Sequence, residues 1–471
     1  MSKFYIATPI YYVNANPHIG HTYTTIAADV LARFHRSVGD ETFFLTGTDE
    51  HGAKIEEYAE KAGLDPQIFA DKVSETFREA WKKLNISNDR FIRTTEQDHI
   101  EAVQNALKRM HDNGDIYLGK YEGLYCKGCE QFKNEKDLVD GLCPDHKTEP
   151  IPMSEESYMF KMSKYHDILY KKIKNDEIKI LPVEKKNEVL SFYENERLQD
   201  VSFSRKNVKW GITLPWDEEH TTYVWADAFL NYLTGLGWDG SGNAPEMWPA
   251  DTQLMSKDIL RVHTTIWPAM LLSLGIEPPK CLFIHGFFMI DGQKMSKSLG
   301  NVITPDELAS KYGVDGTRYL LMSATPFGND GDISFKKFDE KYNADLANGL
   351  GNLVARVSNL LEKNEIKTGL TPNSDSKLIE EFANLMNAFK FDEALKILQA
   401  TVRACDEKLT STAPWKMTDK EEVRQILEPI AQNILNAALL IEPFMPETAK
   451  KIILQFSEEQ IKKGEGLFPR I

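Results

Sequence analysis

The stretch "KFYIATPIYYVNANPHIGHTYTTIAADVLARF", residues 3 to 34, decides the fold. Its first part, 3 to 13, is rich in aromatic and branched residues and predicts a strand, ended by the turn-forming "NANPHIG". From Ile19 onward Tyr23, Ile26, Ala27, Val30, Leu31 and Phe34 recur at three- and four-residue steps, which is one face of a helix. "ETFFLTGTDEHG" (41 to 52) then predicts a second buried strand, breaking at Gly47. Strand, helix and strand at this spacing open a doubly wound α/β sheet.

Working outward, a helical pattern covers about 97 to 113. The chain then changes character at 116, where Gly, Cys, Pro and Asp punctuate short segments. The α/β pattern returns with "TTYVWADAFLNYLTGLG", "ILRVHTTIWPAMLLSLG" and the buried strand "CLFIHGFFMI". The expected organisation is a split, Rossmann-like parallel-sheet domain, with halves at 1–115 and 220–341 and an insertion at 116–219. From Tyr342 to 471 an α-helical bundle is expected, because Leu346, Leu350, Leu353, Val357 and Leu360 form one stripe. Val423, Ile426, Leu427, Ile430, Ile434, Leu435 and Leu439 form another.

At 471 residues the chain exceeds one hydrophobic core, and its 42% hydrophobic and 27% charged fractions are those of a soluble globular protein. The amino terminus lacks the pattern of a signal peptide, and no stretch reaches the roughly 18 apolar residues of a membrane span. A formal net charge of -15 argues against indiscriminate nucleic-acid binding but leaves room for one basic face. Of five cysteines, Cys126, Cys129 and Cys143 cluster, while Cys281 and Cys405 stand alone. That is no disulfide framework; it predicts a reducing, cytoplasmic setting and a metal.

Two short motifs carry the chemistry. In "PHIGH", His18 and His21 lie three apart at a helix start, beside unpaired backbone N–H groups that attract anions, and Gly20 leaves room for close approach. Read alone, two histidines capping a helix would explain them as well. "KMSKS", Lys294 to Ser298, follows a buried strand at the carboxyl edge of the sheet, where α/β ligands bind. Two ammonium groups there can neutralise a triphosphate and stabilise charge on its leaving group. The bland counterpart is a solvated basic loop, and it weakens once both motifs follow strands of one sheet.

"HIGH" with "KMSKS" resembles the class I aminoacyl-tRNA synthetases. "TPIYYVNANPHIGH", "TGTDEHG", "YVWADAFLNY", "HTTIWPAML" and "IHGFFMIDGQKMSKSLGN" together resemble the methionyl-tRNA synthetase family over nearly the whole chain. The resemblance implies activation of L-methionine with ATP and its transfer to tRNA(Met). It implies a methionine pocket of Ile10, Tyr12, Trp225, Ala228, Tyr232 and His263, with Asp49 pairing the substrate ammonium. It also implies His18, Gly20, His21, Lys294, Lys297 and the ribose ligand Asp258 at ATP, with His18, His21, Lys294 and Lys297 catalytic and Arg205 a weaker candidate. Mg2+ is expected with the nucleotide. Where many relatives read Gly-Lys-Asp, this chain reads Ser256-Lys257-Asp258.

"CKGC" (126 to 129) and "CPDH" (143 to 146) offer Cys126, Cys129, Cys143 and His146, four ligands that can close a tetrahedron around one structural Zn2+ per chain. In the helical region the resemblance implies that Asn352, Arg356 and Trp415 read the anticodon. Asn352 and Arg356 share a helical face, and Trp415 can stack an unpaired base. Asp406 stands where relatives carry Asn. The insertion looks too short for a large hydrolytic editing domain. The chain ends soon after the bundle, so a monomer is expected. The alternatives are a class I synthetase for Val, Ile, Leu or Cys, disfavoured by the aromatic pocket, and a non-catalytic tRNA-binding paralogue, which would have lost the phosphate motifs.

Overall fold

The computed structural model describes every residue except 1, 127, 129, 130, 134–137, 145, 291, 295–301 and 373–375. The chain forms two compact units: 1–17, 41–79 and 88–284 make the first, and 18–40, 80–87 and 285–471 the second.

The first unit is built on a seven-stranded sheet. Its order is Tyr11–Tyr12, Glu41–Asp49, Lys3–Ala7, Thr252–Ser256, Cys281–His285, Lys179–Leu181, with Arg90–Arg93 also beside Glu41–Asp49. Lys3–Ala7 runs parallel to Glu41–Asp49 in the register Lys3↔Glu41 to Ala7↔Leu45, and parallel to Thr252–Ser256 at Ile6↔Thr252. The chain therefore leaves the central strand Lys3–Ala7 in both directions, which creates the crevice where doubly wound sheets bind ligands. The core beneath is apolar: Tyr5, Ile6, Ala7, Phe44 and Leu45 are all buried.

Two details depart from the expected strands. The first strand stops at Ala7 rather than continuing to residue 13, because Pro9 has no N–H to donate. Thr8 makes the last ladder bond, to Leu45 O at 3.1 Å, and pairing resumes only at Tyr11↔Thr48 and Tyr12↔Asp49. The strand Glu41–Asp49 runs straight through Gly47. A Cβ there would come within 2.0 Å of Ile92 O, so glycine permits the approach of Arg90–Arg93 instead of ending the strand.

Within the span 116–219 an antiparallel sheet runs Gln131–Lys133, Ile116–Cys126, Ile151–Phe160, Val201–Ser202. Lys179–Leu181, in the same span, pairs in parallel with Cys281–His285, so this part of the chain returns to the main sheet.

The second unit begins with the helix Ile19–Ser37, whose predicted face of Tyr23, Ile26, Ala27, Val30, Leu31 and Phe34 is buried. It continues through Pro305–Ser323 and, beyond Tyr342, the helices Gly351–Lys363, Ser376–Asn387, Phe391–Thr412, Lys420–Ile441 and Pro446–Phe456. The stripe Leu346, Leu350, Leu353, Val357, Leu360 is buried throughout. In the second stripe Val423, Leu427, Ile430, Ile434 and Leu435 are buried, whereas Leu439 is exposed. Asp29, on the helix Ile19–Ser37, is fully buried and bridged by Arg318 at 2.6 Å and Arg33 at 2.7 Å. No helix among the described residues is long and apolar enough to cross a membrane.

Candidate active site

In the second unit, His18 caps the helix Ile19–Ser37. Its Nδ1 accepts the Gly20 N–H at 3.1 Å, and its own backbone N–H is accepted by His21 Nδ1 at 3.3 Å. This is a reciprocal capping box made of two imidazoles. A backbone N–H only donates, so each Nδ1 is bare and each Nε2 carries the proton. The two rings stack, centroids 3.8 Å apart. Enclosure of the ring, and after it the nearness of the His18 imidazole, hold His21 well below the usual histidine range. A Cβ on Gly20 would lie 2.9 Å from the His18 ring, so the glycine makes room for the cap itself.

The same turn is tied to the chain that leaves the lysine motif, because Ile19 N–H donates to Ile303 O at 2.9 Å. Thr304 and Glu307 then form a second capping box, on Pro305–Ser323. At the other end of the motif Gln293–Lys294 pairs antiparallel with Phe288–Ile290. Lys297 lies outside the described residues, as does the motif from Met295 to Ser298.

The residues predicted to line an amino-acid pocket lie in the first unit. Ile10 and Trp225 are half-buried against one apolar cluster that contains Tyr232, and Ala228 is buried. Trp225 stacks on Phe229 at 5.1 Å, and both rings meet the edge of His263. His263 Nδ1 donates to Ile259 O at 2.9 Å, which leaves Nε2 as an acceptor for the Tyr232 hydroxyl at 3.0 Å. Burial pushes His263 down to about 4 against the pull of the Ile259 carbonyl, so the ring is neutral at pH 7. Asp49 closes the strand Glu41–Asp49 directly opposite Tyr12. Asp258, exposed beyond Thr252–Ser256, accepts a hydrogen bond from the Ser256 hydroxyl, so Ser256 orients this carboxylate. Arg205 is buried, held by Ser202 Oγ at 2.6 Å and stacked over Tyr223.

Behind these residues lies a polar layer that sequence reading did not single out. Glu50, fully buried, is clamped by Arg93 at 2.7 and 2.8 Å and accepts from Thr48 and Thr95. Asp227, also fully buried, joins His51 and His99. The available signal was charge where an apolar residue belongs, in "TGTDEHG" and "YVWADAFLNY".

Cys126, Cys143 and His146 bring their ligand atoms within 4.8 Å of one another, with Cys143 Sγ 4.0 Å from His146 Nδ1. Two ligands of a tetrahedral zinc, one S and one N, stand about 3.6 Å apart, so two thiols and an imidazole converging here fit that ion. Gly128 is required by the same geometry, since a Cβ would fall 2.4 Å from the His146 ring. Cys129 lies outside the described residues. In the helical region Arg356 bridges Asp406 at 2.5 Å and lies 5.5 Å over the ring of Trp415, which is 46% exposed. Asn352 is exposed one turn before Arg356.

The family described as tRNA synthetases class I (M) matches residues 4–150 and 146–358, which places the chain among class I tRNA synthetases. The methionine–tRNA ligase of Clostridium acetobutylicum is 42% identical over 100% of this chain and 78% of its own. That of Thermotoga maritima is 40% identical over 99% of this chain and 77% of its own. The chain belongs to the methionine–tRNA ligase family. Among solved structures, Mycobacterium tuberculosis methionyl-tRNA synthetase in complex with methionyl-adenylate is similar at a TM-score of 0.93 and 37% identity, covering 100% of both chains. Its apo form is similar at 0.85 and 34%, covering 100% of this chain and 98% of that one.

Proposed function

We propose that the protein joins L-methionine to ATP, giving methionyl-adenylate and pyrophosphate, and passes the methionyl group to the terminal adenosine of tRNA(Met). The observation that carries the choice of substrate is the His263–Tyr232 pair. A neutral imidazole and a phenol satisfy each other's polar atoms inside a wall of aromatic rings, which suits a polarizable, uncharged thioether. Ile10, Tyr12, Trp225 and Ala228 complete that pocket, and Asp49 supplies the single negative charge the ammonium needs.

In the first step a methionine carboxylate oxygen attacks the α-phosphorus in line. The new P–O bond forms as the bond to the β-phosphate oxygen breaks, and the electron pair leaves with pyrophosphate. No protein nucleophile takes part, so catalysis is positioning and charge stabilisation. The Nε2–H groups of His18 and His21 donate to phosphate oxygens, an assignment supported by the capping box that turns both Nδ1 atoms inward. Gly20 keeps that cap open. Lys294 and Lys297 neutralise the departing pyrophosphate, and Asp258 binds the ribose. Mg2+ bound to the nucleotide adds charge neutralisation. In the second step an adenosine hydroxyl of the tRNA attacks the methionyl carbonyl, loses its proton, and AMP leaves.

In this scheme 1–115 and 220–341 form the catalytic domain, 116–219 its insertion, and 342–471 reads the anticodon through Asn352, Arg356 and Trp415. Cys126, Cys129, Cys143 and His146 would hold a zinc ion, whose role there would be structural. The enzyme works in the cytoplasm. Amino-acid-dependent exchange of labelled pyrophosphate into ATP tests the central claim across Met, Val, Ile, Leu and Cys. Exchange with methionine alone is expected, and exchange with another amino acid instead would overturn the pocket. Metal analysis should find one zinc per chain, lost in Cys143→Ser together with thermal stability of the insertion.

A further inference from the structure

Asp227 sits in the helix Val224–Ala228, between Trp225 and Ala228 of the pocket, yet its side chain is fully buried on the other side. Its Oδ2 lies 2.6 Å from His51 Nδ1 and its Oδ1 2.8 Å from His99 Nε2. His99 Nδ1 in turn meets the Thr234 hydroxyl at 2.7 Å. A carboxylate only accepts, so both imidazoles donate to it, and Thr234 donates to the bare Nδ1 of His99. Every polar atom of Asp227 and His99 is thereby used inside the protein. Burial works against the Asp227 charge, but His51, and with it His99, hold the carboxyl below its usual range.

The three elements so joined are informative. His51 follows Asp49 by two residues, and His99 lies on the helix Gln97–Asp112. We infer that Asp227 is a positioning residue for methionine: through His51 it fixes Trp225 and Ala228 relative to Asp49, and so fixes the aromatic wall relative to the ammonium-binding charge. This inference rests on the proposed methionine pocket and extends it to residues that do not touch the substrate. The pair brings together positions 176 apart in sequence, which the sheet's own ladder does not do for the helix Val224–Ala228. Leaving either imidazole N–H without its acceptor would cost a buried donor its partner and release the wall.

The test uses the whole chain in methionine-dependent pyrophosphate exchange, with KM read separately for methionine and ATP. Asp227→Asn keeps the shape but offers an amide NH2 to one of two donors. It should raise KM for methionine about tenfold while KM for ATP stays within about twofold. His51→Asn retains a donor where Nδ1 stood, and His99→Gln one where Nε2 stood; both should keep KM for methionine within about threefold. His51→Ala and His99→Ala should raise it as Asp227→Asn does. A purely structural role predicts otherwise, with lowered thermal midpoints and both KM values unmoved, or both raised alike; either result overturns the inference. Should the unsubstituted protein show no methionine-dependent exchange, the pocket and the inference fall together. Normal exchange with an unmoved KM in Asp227→Asn overturns the inference alone.

Discussion

The histidines of the two units are held by opposite ends of the peptide group. At the start of Ile19–Ser37, backbone N–H groups donate into His18 and His21 Nδ1, so the protons sit on Nε2. In the pocket, the Ile259 carbonyl accepts from His263 Nδ1, so Nε2 is left bare. One residue type becomes a donor in the first place and an acceptor in the second, with no charge needed in either. A helix start offers N–H groups to the rings of His18 and His21, whereas the ring of His263 turns back one turn to the Ile259 carbonyl, so the tautomer follows from which backbone group each ring meets. Donors suit phosphate oxygens; an acceptor that orients a phenol suits an apolar substrate.

The largest effect that could break this contrast is at His21. His21→Ala should lower the rate of pyrophosphate exchange about 10²- to 10³-fold, the scale of losing one preorganised donor to developing charge, with KM for methionine little changed. If the substitution merely lowers the thermal midpoint by the roughly 1 kcal/mol of a lost cap, the pair is a structural cap and the contrast with His263 has no catalytic meaning.

Next in size is acid sensitivity. His263 has an ordinary value near 6.5 when the chain is unfolded and about 4 when folded. Between those values the unfolded chain binds the extra proton. The stability from keeping the ring neutral is therefore fully present above about pH 6.5 and is lost as pH falls towards 4, about 3 kcal/mol in all. His21, lowered by enclosure and by His18, acts in the same direction. His263→Asn keeps a donor for Ile259 and does not titrate, so denaturant unfolding across pH 4 to 7 should show a shallower slope for the variant. Equal slopes would mean the ring is solvated.

Tyr232→Phe sharpens the same point at lower cost. It leaves the buried His263 Nε2 without its donor, an expected loss of about 1 to 3 kcal/mol seen as a raised KM for methionine. Simultaneous His263→Leu should recover part of the stability but none of the methionine affinity, as unfolding and exchange measured on one preparation would show.

How far all this was legible beforehand follows from what each feature depends on. The stripe Tyr23 to Phe34 and the strand Glu41–Asp49 were readable because helical and extended periods are local. The break at Thr8–Ile10 was there to be seen in Pro9, but the aromatic run on both sides concealed it. Gly47 looked like a strand breaker because its use, the approach of Ile92, involves residues 45 positions away. His18, His21 and Asp49 were legible as types at positions. The tautomers of His18 and His21 were not, since they depend on the backbone N–H groups of Gly20 and His18 turning into the rings. The Asp227, His51 and His99 set was the least legible, because its members are distant in sequence and the polar positions inside apolar runs do not say which of them meet.

The smallest expected effect lies in the helical region, where neither arrangement of the opening contrast applies. Among the described residues Arg356 is held by a half-exposed bridge to Asp406 and by the Trp415 ring. Such a bridge is worth about 0.5 kcal/mol, because solvent screens it and both side chains lose freedom to make it. On the proposed anticodon reading it is weak enough to open when an unpaired base stacks on Trp415, which would make the guanidinium available to that base or to a phosphate. Asp406→Asn removes the competing charge and its repulsion of phosphate. It should raise kcat/KM for tRNA about twofold and leave methionine-dependent exchange unchanged. A tenfold fall in the tRNA step would instead make Asp406 an acceptor for a base amino group. Arg356 and Asp406 would then read the anticodon together, and this half-exposed pair would serve its ligand as directly as the buried histidines serve theirs.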